Sequence, residues 1–592
     1  MIVNKLQVSI HWLKDKLTTK QFQVFAAVVV GLSAGAMAVI LKIVVHYIQY
    51  SFNGNHLFSP EHTPYMVFLP TMGILLTVIF TQKILNGQLD KGVSNVLYEI
   101  AKKSSYVKRH KLFSQLVTSV MTVGLGGSAG LEAPIVVTGS AVGSNLATSW
   151  GLTYRDRTLL LGCGAAAGIG AVFNSPIAGV MFAMEVLLAE VTLSSFIPLI
   201  IAAACGALFS KIVLNEENLF YFRLTEPFNY VNIPFYLVLA FTTGIFSLYF
   251  VRISHGINSR MKDLKMGPLS KAVVGGLILA LIIYLFPSLF GEGYPSTKII
   301  ADGQVEALIK SSIFSDYRSE KWAIVLYVTA IVFIKPIATS VTLGAGGNGG
   351  NFAPSLFVGC HLGFVFARII NISGLAKVPE ANFSIVAAAG ILSGVMYAPL
   401  TGIFLIAEVT GGYELIIPLM MVSTLSYAMV QHFEPYSLEV KNMVERGDIF
   451  SRDKDRNILL LLKTENIIET NFATIKPTAS LRELIEEIKH SNRNLFAVVN
   501  EAGQLEGILT LDDVREVMFD PKLYNKIHVQ DLMKPPPSVL YVNESMSEVM
   551  KKFDKTNAWN LPVVDGTTYV GFISKSTIFS KYRSELISMS GD

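Results

Sequence analysis

Residues 165–186 read AAAGIGAVFNSPIAGVMFAMEV, and residues 387–409 read AAAGILSGVMYAPLTGIFLIAEV. One inserted residue sets Pro176 opposite Pro399 and Glu185 opposite Glu408. Upstream of each copy stands a glycine-rich run ending in proline, GGSAGLEAP at 126–134 and GAGGNGGNFAP at 344–354. Pro134 and Pro354 lie 220 positions apart, Pro176 and Pro399 223 apart. Two separate segment pairs at nearly one offset mark an internal duplication. In a chain that crosses a membrane many times, such a duplication builds two halves about a pseudo-two-fold axis. The transport site then lies near the midplane, where broken helices meet. Non-helical backbone at that depth is tolerated only where protein buries it or a watery cavity receives it. Small residues also let helices pack closely, but packing alone leaves the terminal prolines, able to begin a helix, unexplained.

Composition agrees with a membrane protein. The 592 residues are 51% hydrophobic and 16% charged, where a soluble protein carries about 25% charged residues. The apolar excess falls between about residues 21 and 433. Phe22–Val45, Tyr65–Phe80, Ile233–Phe250, Ala272–Leu289 and Trp322–Ile337 are apolar runs near or beyond the roughly 20 residues that span a bilayer core. The first is too long and too late for a signal peptide. Four lysines and one aspartate in Lys5–Lys20 place the N-terminus on the cytoplasmic side. Cys163, Cys205 and Cys360 sit in apolar surroundings without disulfide or metal-ligand spacing, and read as small buried hydrophobes. No HExxH, paired histidine cluster or nucleophile elbow occurs, so no enzymatic chemistry is expected. No metal and no nucleic-acid partner are expected either.

From about residue 450 the composition is that of a soluble protein. One unit reads as a helix (Ser480–His490), a strand (Leu495–Val499), a turn at Glu501–Gly503, a strand (Leu505–Leu509) and a helix from near Asp512. The second repeats the order with Met546–Thr556, Asn560–Val564, a turn at Asp565–Gly566, and Tyr569–Ile573. Alternating strands and helices predict a small α/β pair. The expected organisation is a cytoplasmic segment (1–20), a transmembrane domain (21–445), a linker (446–464), two soluble domains (465–525 and 526–586) and a tail (587–592).

The chemistry concentrates on Glu132. An ionisable residue inside a membrane domain is costly and marks function by default. A helix N-terminus offers unpaired N–H groups and partial positive charge, which hold an anion. A carboxylate tethered there can occupy that site itself, and protonation or outward movement frees it. The alternative role is a capping glutamate in a packed turn.

GGSAGLEAP resembles the gating motif of the CLC chloride channels and exchangers, usually G-x-x-G-R-E-G-P. GGNFAP at 349–354 resembles that family's G-x-F-x-P motif, and DKGVS at 90–94 stands where the family has G-S-G-I-P. The order and spacing of the three motifs cover roughly residues 20–445. The resemblance implies a polytopic all-α membrane fold of inverted repeats with broken helices, a homodimer in membrane lipid, and one chloride or other small-anion pathway per subunit. It implies Glu132 as the gate and the backbone of Leu131–Ala133 as the outer site. Asn351 and Phe352, followed by Ala353, match the central anion's N–H donors, and Gly92 and Val93 lie by the inner and central sites.

Four departures stand out. Leu131 and Ala133 replace the usual Arg and Gly, which alters gate geometry. Lys91 replaces a serine that meets the central anion. It either strengthens anion attraction, or snorkels into water or pairs with Asp90. Val186 follows Glu185 where the family's exchangers carry a proton-delivering glutamate, which argues against tight proton coupling; Glu190 leaves another route. The inner-gate tyrosine is matched by Tyr436 in one alignment and by Glu439 in another. In the second, Lys91 and Glu439 would pair.

The tail resembles a tandem of cystathionine-β-synthase (CBS) domains. GILTLDD (507–513) matches the strand followed by Thr/Ser-x-x-Asp, so Thr510 would meet phosphate and Asp513 the ribose of an adenine nucleotide. The second copy, GFISKST (571–577), keeps Ser574 but has Thr577 in place of the aspartate. A dimerising scaffold without nucleotide is the alternative. The leading expectation is a chloride channel or weakly coupled chloride transporter, gated by Glu132, regulated by cytoplasmic CBS domains and requiring no cofactor. A proton-coupled chloride antiporter is the second reading, and a nucleotide-sensing CBS protein with a membrane anchor is the third. Fluoride export fits poorly with Lys91 and Pro134.

Overall fold

The apolar runs become helices whose ends are set by proline and glycine. The structure, a computed structural model, describes residues 16–53, 64–188, 193–214, 226–310, 312–317, 320–445, 462 and 464–590. Most of the N-terminal segment, the 446–461 stretch of the linker, Glu190 and residues 591–592 lie outside the described residues. The chain divides into two units, Met1–Asp448 and Ile449–Asp592.

The first unit is all helix. Its first half runs α1 (Thr19–Asn53), α2 (Leu69–Ile84), α3 (Val93–Lys102), α4 (Lys111–Gly124), α5 (Glu132–Ser149), α6 (Tyr154–Phe173), α7 (Pro176–Phe182) and α8 (Leu193–Leu214). Its second half runs α9 (Ile233–Asp263), α10 (Pro268–Leu285), α11 (Tyr294–Ala301), α12 (Glu306–Lys310), α13 (Lys321–Gly344), α14 (Phe352–Ser373), α15 (Glu380–Met396), α16 (Pro399–Val409), α17 (Ile416–Phe433) and α18 (Leu438–Glu445). Among the described residues, nine helices are long and apolar enough to cross a membrane. The run expected over Ala272–Leu289 stops earlier, at Leu285, because Pro287 cannot continue a helix and opens a 3-10 turn instead. The end at which α1 begins is termed inner here, and the end at which it finishes outer.

The duplication is visible in the backbone. Asn174 and Tyr397 both adopt left-handed conformations, φ 53° and 58°, and end α6 and α15 at matching places. Each proline two residues later starts the next short helix. The two short helices cap one another. Glu185 accepts the Leu400 and Thr401 N–H groups at 2.9 and 2.8 Å and the Thr401 hydroxyl at 2.8 Å. Glu408 accepts the Ile177 and Ala178 N–H groups at 3.0 and 2.9 Å. Each carboxylate thus satisfies the orphan donors of the other half's helix and complements its dipole. Close approach within a half rests on glycine: a Cβ at Gly164 of α6 would lie 1.9 Å from the Gly139 carbonyl of α5. The three cysteines are free, with Cys163 and Cys360 buried.

The second unit holds two three-stranded sheets. In one, β1 (Thr474–Ile475) runs parallel to β2 (Leu495–Val499), which is antiparallel to β3 (Leu505–Thr510). In the other, β4 (Leu540–Tyr541), β5 (Asn560–Asp565) and β6 (Thr568–Ser574) repeat that order. The helices Leu481–His490 and Met546–Thr556 carry Leu481, Leu484 and Ile485, and Met546, Val549 and Phe553, into the two cores. Phe472, Leu495, Ala497 and Phe572 form a third cluster between the sheets. The strand and helix spans match the alternation read from the sequence to within about a residue at each end.

Candidate functional site

The two glycine-rich turns meet. Gly130 N–H donates to the Gly350 carbonyl at 3.0 Å, and Gly350 N–H returns a bond to Gly130 at 2.8 Å. Asn348 fastens the second turn to α4 through its amide, which donates to Gln115 Oε1 at 2.9 Å and Thr118 Oγ1 at 2.8 Å. From this junction α5 starts at Glu132 and α14 at Phe352, so the prolines expected to open these helices sit at the third position instead. Glu132 and Phe352 are therefore equivalent first residues, one ionisable and one aromatic. The Phe352 ring packs on Phe173 and Phe182, at 5.4 and 6.1 Å between centroids. Ala133 packs on Gly350, where an added Cβ would lie 2.7 Å from the Ala133 methyl.

Glu132 is 1% exposed. Its Oε1 accepts the Tyr294 hydroxyl at 2.7 Å. Its Oε2 folds back over Gly130, so closely that a Cβ there would come within 2.0 Å of it. The Ala353 N–H, at the start of α14, and Lys335 are near enough to act on the carboxylate. The carboxylate thus stands between the two helix starts, in the space where their free N–H groups would hold an anion.

Three residues absent from the sequence expectation share this end. Lys335 on α13 is fully buried and donates to Ser128 Oγ and the Gly291 carbonyl, both at 3.0 Å, with its ammonium 4.8 Å from the centre of the Phe357 ring. Glu292 accepts the Leu131 N–H at 3.1 Å. Tyr294 supplies the hydroxyl on Glu132. Lys335 carried a signal, because a lysine in the run VFIKPIA is as costly as Glu132. Glu292 and Tyr294 carried none, as they sit in a loop and at a helix start where such residues are ordinary.

The inner end is built from DKGVS. Gly92, at φ 76°, turns the chain into α3. Glu439 on α18 accepts the Ser94 N–H at 3.1 Å and stands beside the Asn351 side chain. Tyr436 is 41% exposed. Glu439 and not Tyr436 is therefore the residue that meets the turn holding Gly92 and Val93. Lys91 does not pair with Glu439. Its ammonium donates to the Gly347 carbonyl at 2.9 Å and ties the first half's turn to the second half's. Nor does it pair with Asp90, which bridges to Lys111 at 3.0 Å; Lys111 also meets Glu99 at 2.7 Å. Glu185, committed to α16, is followed by Val186 in a π-helical turn, Ala183–Leu187.

In the soluble unit Thr510 and Asp513 form a capping box, and Lys534 makes an ion pair with Asp513. Burial pushes the Asp513 carboxyl up, but Lys534 and the Thr510 donors outweigh it and hold it below the usual range. Ser574 donates to Glu469 at 2.6 Å, as does Thr577. Glu469 is also held low overall: burial raises it, but Ser574, Thr577 and Arg493 pull it down further. The phosphate and ribose candidates are thus joined to acids and a lysine of the chain itself.

Residues 73–431 match the voltage gated chloride channel family, and residues 465–520 and 529–584 each match the CBS domain. Chloride channel protein CLC-e of Arabidopsis thaliana is 25% identical over 567 residues, 85% of this chain and 77% of that protein. The H(+)/Cl(-) exchange transporter ClcA of Vibrio cholerae is 29% identical over 316 residues, 51% of this chain and 62% of that one, under two thirds of its length. The crystal structure of a eukaryotic CLC transporter shares the fold, with a TM-score of 0.60 at 18% identity over 94% of this chain and 97% of that one. The chain belongs to the voltage gated chloride channel (CLC) family and carries two CBS domains after its membrane part.

Proposed function

We propose that this CLC chloride transporter or channel passes anions, chloride first among them, along a path through the paired glycine-rich turns, with Glu132 as the gate. The observation that carries this is the seat of Glu132: a buried carboxylate at the first residue of α5, beside the Ala353 N–H at the start of α14. Leu131, Ala133, Asn351, Phe352 and Ala353 then line the outer and central path, and Lys91, Gly92, Val93 and Glu439 the inner end. The N-terminus and the CBS pair face the cytoplasm, and two copies associate as a homodimer. CBS domains commonly bind adenine nucleotides, and Thr510, Asp513 and Ser574 are the residues proposed to meet one as a regulator.

Chloride efflux from liposomes tests the gate. Glu132→Gln, which mimics the protonated gate, is expected to raise flux and flatten its pH dependence. Flux and pH profile equal to wild type would remove the gating role. Proton-coupled exchange is the second reading, favoured by the name of the Vibrio cholerae relative. Val186 at the proton-relay position favours weak coupling. A reversal potential that follows a pH gradient would decide for the exchanger.

A further inference from the structure

We propose that Glu292 is a second tethered anion at the outer end of the path, holding the Leu131 N–H until a permeating anion displaces it. This rests on the reading of Glu132 as the gate. Leu131 immediately precedes α5 and has no side-chain cap of its own. Its N–H belongs to the donor set at a helix start. Glu292 Oε1 takes that donor at 3.1 Å.

The loop that delivers Glu292 is fixed. Gly291 and Gly293 flank it at φ 63° and 94°. Gly291 N–H donates to the Gly126 carbonyl at 2.9 Å, and Lys335 donates to the Gly291 carbonyl at 3.0 Å. The Glu292 side chain is therefore aimed by bonds to the first glycine-rich turn and to α13. The titratable groups facing it are Glu132 on α5, Tyr294 on α11, Lys335 on α13 and Lys42 on α1. Lys42 lies 23 residues past the start of α1, about 35 Å along the helix axis, which places the cluster towards the outer end.

Formal charge gives the device its logic. Two carboxylates and two ammonium groups sum to zero. With Glu292 withdrawn or protonated, the same cluster carries one net positive charge beside a vacant helix-start donor. That combination attracts an anion. Glu292 is half-buried, whereas Glu132 is 1% exposed, so of the two carboxylates Glu292 is the more open to an arriving anion. Like charges this near disfavour each other's ionisation, so the charge of Glu292 also sets the acidity at which the gate releases.

The test is chloride flux into liposomes holding full-length protein in one orientation, read against external chloride and external pH. Wild type, Glu292→Gln, Glu292→Asp, Glu132→Gln and the Gln/Gln double variant are compared. Glu292→Gln is expected to lower the half-saturating external chloride about fivefold or more, leave the internal chloride dependence unchanged, and move the acid limb of flux to lower pH. Glu292→Asp is expected to recover part of the wild-type dependence. The external chloride shift is expected to persist between Glu132→Gln and the double variant. Half-saturation and acid limb equal to wild type, or a change in maximal flux alone, would overturn the proposal. A Glu132→Gln profile identical to wild type would instead sink the gate reading, while the chloride shift still reports on Glu292 by itself.

Discussion

Replacing Tyr294 by phenylalanine removes one oxygen and tests what holds the proposed gate, Glu132, in its seat. The Tyr294 hydroxyl donates to Glu132 Oε1 at 2.7 Å, with Tyr294 8% and Glu132 1% exposed. The ring and its packing remain in the variant, so the loss is mainly that bond. A hydrogen bond to a charged group contributes about 1.5–3 kcal/mol. At one factor of ten per about 1.4 kcal/mol, the ratio of released to seated gate rises roughly 10- to 150-fold. Flux follows until the gate is mostly released, then saturates. The assay is initial chloride efflux from liposomes at a pH where Glu132 is ionised. Two further signatures separate this from general damage. Protonated Glu132 makes only a neutral bond to Tyr294, contributing about 0.5–1.5 kcal/mol, so the ratio of variant to wild-type flux shrinks in acid. In a Glu132→Gln background the substitution is expected to change little. Equal flux in variant and wild type, or the same increase with and without Glu132, would refute the reasoning.

Glu185→Ala strips the Leu400 and Thr401 donors of their acceptor and is expected to cost about 1–3 kcal/mol, read as a lower unfolding midpoint in detergent; Glu185→Gln, which keeps an acceptor, costs less. Lys91→Ser removes the bond to the Gly347 carbonyl and is expected to change the order of anion selectivity; an identical anion series would place Lys91 off the path. Asp513 is held below its usual range despite burial, because Lys534 and Thr510 outweigh it. Its ionised form therefore stabilises the soluble unit above the unfolded value of about 4, and that stability is lost as pH falls through the lower folded value. Hydrogen exchange over residues 508–514 of the full chain, corrected for intrinsic rates, is expected to lose protection in acid, and Asp513→Asn is expected to flatten the change.

The duplication was legible because it is written in small residues and prolines, which constrain the backbone wherever they occur. Asn174 and Tyr397 show how far this goes: neither is glycine, yet both take a left-handed turn, at positions that the offset pairs. What the sequence could not show is that Glu185 and Glu408 each cap the other half's helix. That requires the halves to be docked, and a glutamate in an apolar run reads the same whether it caps a helix or moves a proton. Glu132 was legible as a costly charge. Lys335 satisfies the same criterion but lies outside the repeated motifs. Glu292 was illegible in principle, since an acid in the loop GEGY has no cost until the fold brings it to Leu131. Lys91 shows the opposite limit. Its chain neighbour Asp90 looked like a partner, but the fold gives Asp90 to Lys111 and Lys91 to Gly347.

Along the proposed path the inner end follows the same logic as the outer one, and it can be tested from the other side of the membrane. Glu439 Oε2 accepts the N–H of Ser94, the second residue of α3, at 3.1 Å, beside the Asn351 side chain. A carboxylate at a helix start is favoured by up to about 2 kcal/mol in partly buried geometry, and an anion entering from the inner side must supply that interaction in its place. Lys91 cannot follow Glu439 out, because its ammonium is held by the Gly347 carbonyl; displacing Glu439 therefore leaves positive charge behind. Glu439→Gln keeps the size and an acceptor but removes the charge. It is expected to lower the half-saturating internal chloride by up to roughly 30-fold while leaving the external dependence unaltered, the reverse of Glu292→Gln. Sidedness is the decisive feature, because a general loosening of the fold would shift both dependences together. A Glu439→Gln variant whose internal and external chloride dependences move equally, or not at all, would show that Glu439 caps α3 without meeting the permeating ion.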